Sequence, residues 1–122
     1  MVWDPARITP RPWASVLESY RHLEDRNTDF GPLRGLVEQV VASARGSSLF
    51  AATSGTALLV APQADADWKH DALRIDVGLS GSIRFVLPAK PPTRPTTFER
   101  DGEKVGVAFE SFLRDARWLE RR

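Results

Sequence analysis

The stretch LRIDVGLSGSIRF (residues 73–85) decides the fold, because apolar and charged side chains alternate on both sides of a glycine-containing turn. Alternation with a period of two is typical of a strand with one face in the core and the other in water. A two-residue loop would place Val77 opposite Arg84 and mix the two faces, so the loop must hold an odd number of residues. A three-residue loop over residues 79–81 pairs Val77 with Ile83 and brings the apolar side chains to one face.

The same register predicts further contacts across this hairpin. It pairs Ile75 with Phe85 in the core and sets Asp76 opposite Arg84 on the outer face. An exposed ion pair of this kind adds about 0.2 to 1 kcal/mol, so the apolar face fixes the register. Gly81 takes the left-handed position of a bulged turn, which glycine adopts without steric cost.

Three further segments around this hairpin read as strands or their connections. Residues 49–53 and 56–61 are short apolar runs on either side of Ser54 and Gly55, which predicts a second hairpin. Their near-continuous apolarity indicates a strand that is buried on both faces. Residues 88–95 contain four prolines and predict an extended connector. Residues 96–100 then form a short edge strand.

Helical periodicity appears in three segments outside the sheet. Apolar residues recur on one face over residues 12–25 and over residues 31–44, which predicts two antiparallel helices. Asp29 is the expected N-cap of the second helix, and Gly46 its expected left-handed end. A third helix follows Gly102, and we expect its apolar face to be buried against the sheet. That face consists of Val105, Ala108, Phe109, Phe112, Leu113 and Ala116.

The order of these elements predicts the fold class. Two N-terminal helices, an antiparallel sheet of about four or five strands and a C-terminal helix packed on the sheet make an α+β protein, because the strands are grouped instead of alternating with helices. The 122 residues lie near the commonest domain size, so we expect one compact domain over residues 1–122. Hydrophobic residues make up 42% and charged residues 27% of the chain, as in ordinary globular domains.

Charge and composition exclude several classes of function. With 17 basic and 16 acidic side chains the net charge is only +1, so nucleic acid is not an expected partner. The absence of cysteine excludes disulfides, thiolate nucleophiles and iron–sulfur clusters. No apolar run is long enough for a signal peptide or a membrane span, so we expect no membrane association and a cytoplasmic location. No phosphate-binding glycine motif indicates a nucleotide cofactor, and we expect no cofactor.

The segment DADWKHD (residues 65–71) holds the densest group of chemically active side chains, with three carboxylates and one imidazole. Such a group could bind a divalent metal or transfer a proton. It lacks the glycine and glutamate spacing of a calcium-binding loop, and no serine-hydrolase motif occurs in the chain. The sequence therefore predicts a solvated loop, with no metal site and no catalytic residue.

Four tryptophans lie near the ends of predicted elements: Trp3, Trp13, Trp68 and Trp118. Trp3 and Trp13 are expected to cover the edge of the core, and Trp118 to close the last helix. Trp68 differs from these because it lies in a polar loop. Partly exposed tryptophan is enriched at protein interfaces.

A partner surface is therefore predicted from Trp68, His70, Lys90 and Arg94. Both segments hold an aromatic ring or cations on constrained backbone between strands. A rigid aromatic anchor loses little side-chain entropy on binding. If Trp68 is exposed in this way, its replacement by alanine is expected to change stability by no more than about 1 kcal/mol.

The functional hypothesis from sequence is a non-catalytic protein-binding domain, of which a small bacterial immunity or inhibitor protein is one concrete form. It rests on size and on the missing catalytic motifs. The alternative is a small enzyme or ligand-binding protein with a pocket between helices and sheet. Nucleic-acid binding is a third class and requires the arginines to cluster on one surface. A deep pocket, a flat apolar patch or a basic face distinguishes the three.

Overall fold

The chain forms three α-helices and one five-stranded antiparallel sheet, which confirms the predicted α+β class. This computed structural model describes residues 8–78 and 81–118, apart from the side chains of residues 44 and 45, and these counts refer to those residues. The helices are α1 (Trp13–Arg26), α2 (Gly31–Ala42) and α3 (Val105–Ala116). The strands are β1 (Phe50–Ser54), β2 (Ala57–Ala61), β3 (Leu73–Val77), β4 (Ile83–Val86) and β5 (Thr97–Arg100).

The sheet is a simple meander in which each strand pairs with the next one along the chain. Val77 pairs with Ile83 across β3 and β4, as the alternation predicts. The N–H of Gly78 donates to the carbonyl of Ser82 at 2.7 Å and closes the loop. Gly81 has φ of 79°, which confirms its left-handed position. The other two residues of that loop lie outside the described residues.

The main core lies between one face of the sheet and all three helices. Leu58, Ile75 and Phe85 are neighbours on β2, β3 and β4, and they are fully buried in one cluster with side chains from each helix. Trp13 closes one edge of this core, and its indole N–H donates to the carbonyl of Leu49 at 2.9 Å. The predicted role of this ring at the core edge is confirmed.

The outer face of β3 and β4 holds a charge cluster that is less exposed than predicted. Asp76 pairs with Arg84 as the register requires, but Asp76 is only 7% exposed. Its two carboxylate oxygens accept hydrogen bonds from the Nε atoms of Arg84 at 3.1 Å and of Arg74 at 3.2 Å. The expectation of a solvent-exposed pair is wrong for Asp76, because the two long arginine side chains cover it.

Both ends of α2 differ from the prediction. Asp29 does not cap the helix; it lies in a 3₁₀ turn, where its N–H donates to the side chain of Asn27 at 3.0 Å. The helix ends at Ser43, whose N–H and hydroxyl both donate to the carbonyl of Val40. A serine that bonds to its own backbone in this way competes with the helix. Gly46 therefore lies in a following 3₁₀ turn instead of ending the helix.

The first hairpin is shifted by one residue from the predicted one. Its turn consists of Gly55 and Thr56, because Ser54 pairs with Ala57. Gly55 has φ of 61°, which favours glycine at this position. All five residues of β2 are buried, which confirms the expectation of a strand covered on both faces.

The proline-rich connector between β4 and β5 is not one extended segment as predicted. It turns at Pro91 and Pro92, where the N–H of Thr93 donates to the carbonyl of Lys90 at 2.9 Å. Proline favours such a turn because its φ is already fixed near the required value. The connector then leads directly into β5, whose predicted position is confirmed to within one residue.

Candidate functional site

Two of the four predicted binding residues, His70 and Lys90, are joined to the β2–β3 loop. The Nδ1 atom of His70 lies 2.9 Å from a carboxylate oxygen of Asp67. The ammonium group of Lys90 lies 3.4 Å from a carboxylate oxygen of Asp71. Arg94 is exposed, and no hydrogen bond or ion pair connects it to the other three within the described residues.

Trp68 is buried, and the expectation of an exposed aromatic anchor is wrong for this residue. Its side chain is 7% exposed and packs on the second face of the sheet, opposite the helices. The physical reason is that β2 is apolar on both faces, so the loop that follows must cover the face that the helices do not reach. The cluster consists of Ala52, Leu59, Ala61, Trp68 and Ala72, with Ile8 and Ala66 packed against it.

Asp67 fixes the conformation of the β2–β3 loop. Its side chain accepts the N–H of Lys69 at 3.1 Å, and its carbonyl accepts the N–H groups of His70 and Asp71 at 3.1 and 2.7 Å. The hydrogen bond from the His70 ring lowers the pKa of the Asp67 carboxyl below its usual range. The loop is therefore a defined structure with an ionised carboxylate at its centre.

A titration of Asp67 tests this hydrogen bond. Because folding lowers this pKa, the stability that the bond contributes is complete above the unfolded value of about 3.9 and is lost as the pH falls through the folded value. A carboxyl titration followed by NMR should give a midpoint below about 3.9. In a His70→Ala variant the midpoint should rise toward that value. An unchanged midpoint in the variant would contradict the assigned bond.

A large cleft lies between the β2–β3 loop, the end of β4, strand β5 and helix α3, and we call it the β5–α3 cleft. Its volume is about 1170 Å³. Pockets for small ligands usually hold roughly 300 to 1,000 Å³. The cleft forms because α3 buries Val105, Phe109 and Leu113 in the core, while the neighbouring stripe of the helix faces β5. The apolar side chains along it are Leu87, Phe98, Val107, Ala108, Phe112 and Trp118.

Aromatic rings form much of this apolar lining. Phe98 stacks on Phe85 of the core with ring centres 5.0 Å apart. Phe112 meets Trp118 edge to face at 4.8 Å. Phe112 is only half-buried, so the expectation that it lies fully within the core is wrong. Val107 stands at the rim and is 76% exposed, which is unusual for a large apolar side chain that has no partner to meet.

Charged side chains of opposite sign lie at the two ends of the cleft. Lys104 precedes the first turn of α3 and Asp115 lies in its last turn, so they are about 16 Å apart along the helix axis. Arg100 ends β5 beside Lys104. The β2–β3 loop lies at the other end of the sheet, beside Asp115. The acidic side chains at that end are Asp65, Asp67, Asp71 and Asp115.

The cleft was not predicted from the sequence, although α3 carries a signal of it. Lys104, Ala108, Ser111 and Asp115 recur at helical spacing on one stripe of the chain. We assigned the adjacent apolar side chains to the core as a single face. The sheet, however, is narrower than that face, so Ala108 and Phe112 reach past its covered area into the cleft.

No protein-family model, no curated protein and no solved structure matches this chain. In the part of the chain that the structure describes, no three His, Asp or Glu side chains come together as a group that could hold a metal ion. No helix there combines the length and the apolarity needed to cross a bilayer. The argument for function therefore depends on the cleft and its surroundings.

Proposed function

We propose that this chain is a non-catalytic protein-binding domain and that the β5–α3 cleft receives a segment of a partner protein. The observation that carries the proposal is the combination of an aromatic floor, an exposed Val107 at the rim and opposite charges at the two ends. Apolar contacts supply affinity at protein interfaces, and peripheral charges supply specificity and direction.

The size and openness of the cleft favour a protein segment over a small ligand. A cleft of about 1170 Å³ exceeds the usual volume of a small-molecule pocket. Small ligands are also held in sites that bury most of their surface, whereas Val107 is largely open to solvent. The alternative of a pocket between helix and sheet predicts the same location, so a small ligand is the competing occupant.

The polar groups of the cleft support binding more than catalysis. Ser111 is a hydroxyl in the cleft, and its oxygen accepts a hydrogen bond from a guanidinium N–H of Arg114 at 3.2 Å. A nucleophilic serine needs a base as its hydrogen-bond acceptor instead. A small bacterial immunity or inhibitor protein in the cytoplasm is one concrete form of this function, and those finer assignments remain predictions.

Peptide selection tests the proposed binding site. The wild-type chain is used to select from a displayed library of random peptides long enough to span the cleft. The selected peptides should then bind a Val107→Arg variant about tenfold or more weakly, because a charge at the rim opposes burial of an apolar side chain.

Val41→Arg is the matched control, because Val41 is also an exposed valine on a helix, at 42%, and does not line the cleft. This variant should bind the selected peptides as the wild type does. A selection that enriches no peptide contradicts the proposed function. An equal loss of binding in both variants would show that the peptides bind elsewhere.

A further inference from the structure

The outer edge of β5 borders the cleft and presents main-chain hydrogen-bonding groups. The N–H of Leu87 donates to the carbonyl of Thr96 at 2.8 Å, just before β5 begins. Hydrogen-bonded and non-hydrogen-bonded pairs alternate along an antiparallel ladder. The main chain of Phe98 therefore bonds to β4, whereas the N–H and C=O groups of Thr97 and Glu99 point outward.

This edge is open except at one carbonyl. No other described segment pairs with β5 on that side. The carbonyl of Glu99 accepts a hydrogen bond from a guanidinium nitrogen of Arg100 at 2.8 Å. The same guanidinium lies 4.5 Å from the centre of the Phe98 ring. Both groups of Thr97 and the N–H of Glu99 thus remain available, and an exposed side chain covers the fourth group.

The opposite edge of the sheet is protected in a different way. On β1, the N–H of Arg11 donates to the carbonyl of Ala51 at 2.7 Å and forms an isolated bridge. Proteins usually cover, shorten or charge their edge strands, because an open edge pairs with other chains. The chain therefore covers the β1 edge with its own backbone, while the β5 edge is guarded by charged side chains alone.

We infer that the partner segment binds in an extended conformation as a sixth strand antiparallel to β5, with alternate side chains in the β5–α3 cleft. This inference rests on the proposed function and specifies its geometry. Addition of a strand to an open sheet edge beside a helix is a general mode of peptide recognition, in which main-chain bonds give affinity and side-chain pockets give specificity. Antiparallel pairing is favoured because it is slightly more stable per residue than parallel pairing.

The direction of the segment predicts its sequence. β5 runs from the acidic end of the cleft at Thr97 to the basic end at Arg100, so an antiparallel segment begins at the basic end. Its first contact side chain should be acidic and its last one basic. An apolar side chain between them should reach Phe98 and Phe112. The ends lie about 16 Å apart, which an extended chain spans in about five residues at roughly 3.3 Å each. The contact residues are therefore two positions apart.

The test compares Thr97→Pro with Thr97→Val, using synthetic peptides selected on the wild-type chain. Proline removes an N–H that points outward, and it is tolerated at the first residue of an edge strand. Valine keeps that N–H and the strand propensity. Thr97→Pro should lower peptide affinity about tenfold or more, while Thr97→Val should stay near wild type and both should melt at similar temperatures. Equal affinity of the two variants would overturn the inference.

A second measurement keeps the inference testable if Thr97→Pro does not fold. The same peptides are N-methylated at one amide at a time and bound to the wild-type chain. Methylation at alternate positions should abolish binding, and methylation at the intervening positions should leave it largely intact. Uniform tolerance, or a helical signal in the bound peptide, would contradict strand addition. If Val107→Arg still abolishes binding in that case, the proposed function survives without this geometry.

Discussion

Replacement of Trp68 by alanine should lower the free energy of unfolding by about 3 to 5 kcal/mol, as for other large aromatic side chains in a core. The ring covers the second face of the sheet, where Leu59 and Ala61 would otherwise meet water. Denaturant unfolding measured on the variant and the wild type gives the difference directly.

Lys69→Ala is the control for this experiment, because Lys69 is exposed and lies next to Trp68 in the same loop. Surface substitutions of this kind usually change stability by no more than about 0.5 kcal/mol. A loss below about 1 kcal/mol for Trp68→Ala would show that the second face of the sheet is not closed by this ring.

Replacement of Phe109 by alanine should also cost about 3 to 5 kcal/mol, because Phe109 is 2% exposed and packs in the main core. Phe112→Ala is the comparison on the same helix, one turn away. It should cost less, about 1 to 2 kcal/mol, because that ring is half-buried at the cleft. Unfolding of both variants in denaturant measures the difference.

Peptide binding separates the roles of the two phenylalanines further. Phe112→Ala should weaken the peptides selected on the wild-type chain even under conditions where the variant is fully folded. A cost for Phe112→Ala equal to that of Phe109→Ala would mean that both rings belong to the core and that the cleft is narrower than described.

The sheet could be predicted largely because parity is a strict constraint. In β3 and β4 a shift of one residue would have exposed Ile75 and Phe85 and buried Arg84, so only one register was compatible with the alternation. The three helices were predictable for a similar reason, since their apolar stripes have one period. Exact ends were not, because they depend on local bonds such as that of the Ser43 hydroxyl to the carbonyl of Val40.

The position of Trp68 could have been deduced from β2. A strand of only small and aliphatic residues is buried on both faces, and the helices can cover only one of them. Some other segment had to cover the second face, and Trp68 lies in the loop that leaves β2. The sequence argument treated the polarity of the loop as a reason for exposure, although the ring and its charged neighbours point to different sides.

The cleft was harder to predict because it depends on tertiary distances. The lengths of α3 and β5 are visible in the sequence, but the distance between them is set by the packing of α3 on α2. Gly106 of α3 lies close to Gln39 of α2, where an added Cβ would stand 3.4 Å from the Gln39 side chain. This close approach draws α3 toward α2 and leaves Phe98 of β5 uncovered by the helix.

Amide hydrogen exchange along β5, with and without a selected peptide, tests the central claim most directly. In the free chain, the outward N–H groups of Thr97 and Glu99 should exchange quickly, while those of Phe98 and Arg100 should be protected by β4. In the complex, exchange at Thr97 and Glu99 should slow by about tenfold or more as they enter a new ladder. Exchange at these two amides that stays as fast in the complex as in the free chain would contradict the account.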